Sequence, residues 1–117
     1  MTNEEANISI NKFMEELFML NIIKTIKSNE VDFALEGRLD TVTAPDLEKE
    51  LNASLDGITE LWFDFEKLEY ISSAGLRVLL SAQKQMNKQG TMTLYHVTPS
   101  IMEIFDVTGF SDILTIE

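Results

Sequence analysis

The fold is predicted first from residues 59–97, "TELWFDFEKLEYISSAGLRVLLSAQKQMNKQGTMTLYHV". Apolar and polar side chains alternate over residues 59–68, and this period of two predicts a strand. Residues 74–90 repeat their apolar side chains at helical spacing and end at a glycine, and residues 91–97 are typical of a second strand. A strand, a helix and a strand in this order predict a βαβ unit with parallel pairing and a right-handed crossover.

The N-terminal side of this unit predicts one helix and one hairpin. Residues 3–20 place apolar side chains at helical spacing and indicate an amphipathic helix within an N-terminal extension, residues 1–20. Residues 22–27 and 31–36 are predicted strands, with the turn at residues 28–30. The apolar helix residues are Ile10, Phe13, Met14, Leu17 and Phe18.

Two more helices follow the same alternation. Thr43 with Pro45 has the chemistry of a helix start, and Gly57 is a good terminator. Thr98 with Pro99 predicts the start of the last helix, which precedes a final strand at residues 112–116. Helices alternating with strands favour an α/β fold with a mostly parallel sheet.

Composition excludes several classes of function. The 117 residues suit one domain, and their net charge of −11 repels nucleic acid and anionic lipid headgroups. The chain has no cysteine, which excludes disulfides and thiolate metal sites. No apolar run reaches the roughly 18 residues of a membrane span, and the acidic N-terminus is unlike a targeting signal. We therefore expect a cytoplasmic protein that does not bind nucleic acid and does not insert into a membrane.

The sequence contains few candidates for catalytic or metal-binding residues. His96 is the only histidine, and pairing it with Ser72 or Ser73 as nucleophile and base requires the fold to bring them together. The acids Asp40, Asp64 and Glu66 lie in or after predicted strands and raise the alternative of a magnesium site, although solvated acids are the more common case. The glycines form no phosphate loop or dinucleotide fingerprint. We predict no catalytic residue, no metal and no cofactor.

Ser72 and Ser73 stand where the predicted strand passes into the helix. A serine at this position is favoured as an N-cap, because its oxygen can accept a free backbone N–H of the first turn. The same turn tolerates the negative charge of a phosphoserine. A structural cap and a regulatory phosphate are compatible, and the residues alone favour the cap.

Three segments together resemble the STAS domain family, named for sulfate transporters and anti-sigma factor antagonists. They are "EGRLDTVTAPDL" at residues 36–47, "YISSAGLRVLL" at 70–80 and "TPSIMEIFDVTGFSDIL" at 98–114. The resemblance covers residues 21–117. It implies a STAS-like α/β fold, a small mixed, mostly parallel sheet with helices packed against it, to which residues 1–20 add an N-terminal helix.

The resemblance implies a function as well as a fold. Single-domain members of this kind act as anti-sigma factor antagonists by partner switching: the unphosphorylated domain binds a protein that is both anti-sigma factor and serine kinase. Phosphorylation of a serine at a helix start releases that protein, and a phosphatase resets the switch. The family serine corresponds to Ser73, with Ser72 as the alternative because it stands where the family often has aspartate. The family's loop aspartate corresponds to Asp40.

The predicted partner-binding surface joins that loop to the start of the helix. Its residues are Asp40, Thr41, Ser72, Ser73, Ala74, Gly75 and Arg77. A homodimer is compatible with this interpretation. An alternative function is a STAS scaffold subunit of a sensor or transporter complex that is not phosphorylated. A phosphoacceptor regulator or small hydrolase is a third hypothesis from a different class.

Overall fold

A five-stranded mixed sheet organises the chain. The computed structural model describes residues 2–7, 10 and 19–117. The strands and helices, in chain order, are β1 (Leu20–Lys27), β2 (Glu30–Leu39), α1 (Ala44–Ser54), β3 (Glu60–Ile71), α2 (Ser73–Gln89), β4 (Thr91–Tyr95), α3 (Pro99–Thr108) and β5 (Thr115–Ile116). The α/β, mostly parallel fold predicted from the sequence is confirmed.

Strand order in the sheet follows chain order, β1-β2-β3-β4-β5. β1 pairs with β2 in antiparallel fashion as the predicted hairpin, and every later pair is parallel. Right-handed crossovers between strands that advance in one direction place α1, α2 and α3 on one face of the sheet. The carboxyl ends of β2 and β3 therefore lie side by side, each followed by a helix.

The core fills the space between the sheet and these helices. Every second residue is buried over residues 31–35 of β2 and 61–65 of β3, as the alternating pattern predicts. Beyond these residues the register between the two strands shifts and the alternation ends. The largest fully buried side chains include Phe33, Phe63, Phe65 and Phe105. Phe33 stacks on Phe63 with ring centroids 5.8 Å apart. The side chains on the other face of β2 and β3 are exposed or only partly buried. The core therefore lies on the helix-covered face of the sheet.

Several predicted boundaries are wrong. Leu20 is the first residue of β1 and is buried, so the N-terminal helix does not reach residue 20. β4 ends at Tyr95, and His96 follows it with φ 56° instead of continuing the strand. The final strand contains only residues 115–116, because Gly109 ends α3 in the left-handed region and a short 3-10 helix, Phe110–Asp112, follows.

The N-terminal extension is described only in part. Residues 3–7 are helical, and Thr2 and Glu5 form a reciprocal capping box. Most of the predicted helix at residues 3–20 lies outside the described residues, and the division of the chain at residue 20 stays a prediction. No helix in the described part of the chain has the length and apolar character needed to cross a membrane.

Candidate functional site

The site lies at the carboxyl edge of the sheet, where β2 and β3 pass into α1 and α2. Leu39 pairs with Ile71 in the last parallel register. The backbone N–H of Ser72 then donates to the carbonyl of Leu39 at 2.9 Å. This bond fixes the loop after β2, residues 40–43, beside the first turn of α2. The structure thus brings together the two segments that the sequence predicts as one surface.

Ser72 and Ser73 have different environments. Ser72 is the N-cap residue of α2, with extended backbone angles and a carbonyl that accepts the N–H of Leu76 at 3.0 Å. Its Oγ is buried and finds no hydrogen-bond partner among the described residues. The prediction of a capping hydrogen bond from one of these serines is therefore wrong. Ser73 is the first residue of α2 and is exposed, so its hydroxyl is the accessible one of the pair.

Gly75 lets α2 begin so close to the sheet. A Cβ at this position would lie 2.7 Å from Cγ of Leu39 and 2.8 Å from Cγ1 of Ile71. Since no side chain fits there, only glycine permits this approach of the first turn. Gly75 is buried, and it supports the predicted surface from beneath while Ser73 and Arg77 are exposed above it.

Asp40 holds the neighbouring loop. Its Oδ1 accepts the backbone N–H groups of Val42 at 3.0 Å and Thr43 at 3.1 Å. Its Oδ2 lies 3.6 Å from Nε of Arg38, whose guanidinium lies over the ring of Tyr70. Partial burial acts to raise the pKa of Asp40, but the hydrogen bonds from Thr43 and Val42 and the charge of Arg38 outweigh it and lower the pKa. The carboxylate therefore stabilises the loop conformation.

Thr43 is a buried polar residue whose role the sequence did not reveal. It occupies the N-cap position of α1, as predicted, but makes no capping bond there. Its hydroxyl instead donates to the carbonyl of Arg38 at 2.7 Å and accepts the N–H of Asp40 at 2.9 Å. Thr43 thus joins the end of β2 to the start of α1.

A groove of about 420 Å³ separates the first turns of α1 and α2. It is lined by Thr41, Ala44, Pro45, Glu48, Ala74, Arg77, Val78 and Ser81. Three predicted surface residues, Thr41, Ala74 and Arg77, are among them. Beside Thr41, Val42 is 82% exposed at the loop tip. Val42 was not among the residues predicted for the surface. Its position between two threonines in a predicted loop was a signal that an apolar side chain would be exposed there.

The acids considered for a magnesium site divide between two places. Asp40 is engaged in its loop, whereas Asp64 and Glu66 lie in the middle of β3, beside His96, which directly follows β4. The ligand atoms of these last three residues all lie within 4.8 Å of one another and have the chemistry to hold a divalent cation. Nδ1 of His96 already pairs with Oδ1 of Asp64 at 3.0 Å. The absence of a metal stays a prediction.

The proposed nucleophile and base are not joined. Among the described residues, His96 forms its hydrogen bond with Asp64, and neither Ser72 nor Ser73 bonds to it. The arrangement provides an exposed hydroxyl, a groove and a rigid loop beside them. These features suit recognition by another protein more than bond-breaking chemistry.

Sequence relatives are named as anti-sigma factor antagonists. The anti-sigma-B factor antagonist of Bacillus subtilis is 30% identical over 100 residues, which are 83% of this chain and 92% of that protein. BtrV of Bordetella bronchiseptica, whose name assigns it provisionally to the same group, is 39% identical over 84 residues, or 70% of this chain and 72% of that protein. These names denote regulatory proteins, and the prediction of a non-enzymatic chain is confirmed.

Solved structures share the fold. An anti-sigma factor antagonist from Mycobacterium paratuberculosis superposes with a TM-score of 0.75 at 21% identity, covering 83% of this chain and 84% of that one. The phosphorylated form of Bacillus SpoIIAA gives a TM-score of 0.65 at 17% identity, covering 84% and 90%. The STAS domain family profile matches residues 21–117. The chain therefore belongs to the STAS domain family, as its three sequence segments predicted.

Proposed function

We propose that this chain is an anti-sigma factor antagonist that acts by partner switching in the cytoplasm. Unphosphorylated, it binds a protein that is both anti-sigma factor and serine kinase, and this binding frees the sigma factor. The kinase phosphorylates Ser73, the complex dissociates, and a phosphatase restores the free hydroxyl. The names of the sequence relatives support the general role, and SpoIIAA, which shares the fold, has been solved in phosphorylated and unphosphorylated forms.

The observation that carries this proposal is the contrast between the two serines. Ser73 is exposed on the first turn of α2, and Ala74 on the same turn lines the groove. The oxygen of Ser72 is buried, which favours Ser73 over Ser72 as the residue that a kinase reaches. A phosphate on Ser73 would place nearly two negative charges at the centre of the surface. A partner that buries this surface must pair those charges or dissociate.

The free domain needs little rearrangement to carry the phosphate. The first turn of α2 has free backbone N–H groups and the positive end of the helix dipole. The loop at residues 40–43 is fixed by its own hydrogen bonds. Switching then occurs through the charge presented to the partner, and the fold stays the same.

Replacing Ser73 by aspartate tests whether the residue acts as a switch or as a structural element. Because Ser73 is the first helical residue, an acid there is favourable by about 0.3–1 kcal/mol, so S73D should unfold at the same urea concentration as the native chain or slightly higher. Binding to the kinase captured from native lysate should fall at least tenfold in S73D. S73A serves as the matched control and should bind like the native chain. A parallel loss of stability and binding in S73D would contradict the proposal.

One feature favours the scaffold function as a second candidate. β1 is an edge strand, and it exposes Ile23 and Ile26. Apolar edge strands can pair with another chain, which suits a homodimer or a larger assembly. In that case I26K would lower the oligomeric state in sedimentation, and phosphorylation of Ser73 would leave it unchanged.

A further inference from the structure

Arg77 is an exposed cation one helical turn beyond Ser73. It lines the groove between α1 and α2, and it makes no salt bridge within the described part of the chain. Glu48 lines the same groove from α1. Its carboxylate also lies beyond salt-bridge distance of Arg77. The guanidinium of Arg77 is therefore available to form a salt bridge with a new anion nearby.

The other arginine near the site is already engaged. Arg38 lies 3.6 Å from Asp40 and 4.2 Å from the ring centre of Tyr70. Moving Arg38 toward a new anion would break both contacts and loosen the loop at residues 40–43. Of these two arginines, only Arg77 can pair with a new negative charge on α2 without breaking contacts that it already makes.

Helix geometry places Ser73 and Arg77 as neighbours. Residues four apart on an α-helix have Cβ atoms about 5–6 Å apart, which is within reach for an arginine and a phosphoserine. A guanidinium can form two parallel hydrogen bonds with phosphate oxygens, and a phosphate dianion attracts it more strongly than a single carboxylate does. We propose that Arg77 is the internal partner of the phosphate on Ser73, and that phosphorylation draws its guanidinium away from the groove.

This inference rests on the proposed phosphorylation of Ser73 and adds a second effect to it. Without phosphate, Arg77 presents a positive charge at the groove and can pair with a carboxylate of the partner. With phosphate, that charge is used inside the chain, while Glu48 remains at the groove. The partner then faces the phosphate dianion on Ser73 and also loses its contact with the guanidinium of Arg77. Phosphorylation would thus weaken two contacts at once.

The test is a ³¹P NMR pH titration of protein carrying phosphoserine at position 73, incorporated during translation so that no native kinase is needed. An ordinary phosphoserine has a second pKa of about 6. Pairing with Arg77 lowers this pKa, so R77Q should raise it by about 0.3–0.6 pH unit. R77K keeps the charge and should retain most of the lowering.

K84Q is the matched control, because Lys84 is exposed on the same helix. It lies eleven residues beyond Ser73, or about 16 Å along the helix, where salt screens its charge. Its titration should coincide with that of the native phosphoprotein. Coincident titrations of R77Q and the native phosphoprotein would overturn the role of Arg77. That result would leave the proposed function intact, since failure of the proposed function would appear instead as an unphosphorylated Ser73 in lysate.

Discussion

Replacing Thr43 by valine should destabilise the whole domain, although the two side chains have nearly the same shape. Thr43 is only 4% exposed, and its hydroxyl makes hydrogen bonds of 2.7 Å and 2.9 Å with the backbone of Arg38 and Asp40. In T43V, a methyl group faces that carbonyl and that N–H. Both backbone groups then lose a partner in a position with little access to water.

The expected loss is about 2 kcal/mol. Each hydrogen bond contributes about 0.5–1.5 kcal/mol net, and a buried group left without a partner lies toward the upper end of that range. For a domain of this size, 2 kcal/mol corresponds to a lower Tm by about 8 °C. T43S keeps the hydroxyl and loses one methyl group, so its free energy of unfolding should fall by only about 0.8 kcal/mol.

Urea unfolding at pH 7 measures these differences through the midpoint at constant m-value. T41V is the matched control, because Thr41 is exposed on the same loop and the chemical change is identical. Its free energy of unfolding should stay within about 0.5 kcal/mol of the native value. Equal losses in T43V and T41V, or a loss below about 0.5 kcal/mol in T43V, would refute the role assigned to this hydroxyl.

Two further predictions concern the same edge of the sheet. G75A should lower the free energy of unfolding in urea by about 1–3 kcal/mol, because its methyl group would lie closer than 3 Å to Leu39 and Ile71. A variant as stable as the native chain would show that the first turn of α2 has room for a side chain. Asp40 has its pKa lowered from 3.8 on folding, so its carboxylate contributes stability that is present above this pH and is lost as pH falls through the lower, folded pKa. The stability difference between the native chain and D40N in urea should therefore be largest at neutral pH and shrink as pH falls below 3.8, and a difference that stays constant between pH 7 and pH 2 would contradict this.

The periodicity of the sequence was sufficient to predict the order of strands and helices. Alternation in β2 and β3 and helical spacing in α2 follow directly from the need to bury one face of each element. The resemblance to the STAS family predicted that the two site segments share one surface. In the structure they lie together because the carboxyl ends of the neighbouring parallel strands β2 and β3 meet at one edge. Ser73 and Arg77 are both exposed near the start of α2, the helix that the sequence predicted after β3.

The hydrogen-bond partners within the site could not be predicted. Ser72 and Thr43 occupy the N-cap positions, but neither side chain forms a capping bond. The hydroxyl of Thr43 bonds to the end of β2 instead, and Oγ of Ser72 is buried without a partner among the described residues. Which way a hydroxyl points depends on tertiary contacts that the local sequence does not contain. For the same reason, Asp40 looked like a surface residue although it mainly holds its own loop.

Strand ends were the other source of error. β2 extends to Leu39, beyond its predicted end at residue 36, and its register with β3 shifts twice, once after Ala34 and once after Gly37. Gly37 has φ 106°, and a Cβ there would clash with the carbonyl oxygen of Met19. Such irregular pairing reflects contact between distant parts of the chain, so a period of two cannot reveal it.

Mapping phosphate on the purified protein, after incubation with ATP and native lysate, tests whether Ser73 is a phosphorylated switch. Mass spectrometry of the native chain, S73A and S72A identifies the modified residue. We expect phosphate on Ser73 in the native chain and in S72A, and no phosphate on either serine in S73A. Phosphate on Ser72, or none on either serine while the lysate kinase phosphorylates a relative of this chain, would contradict it.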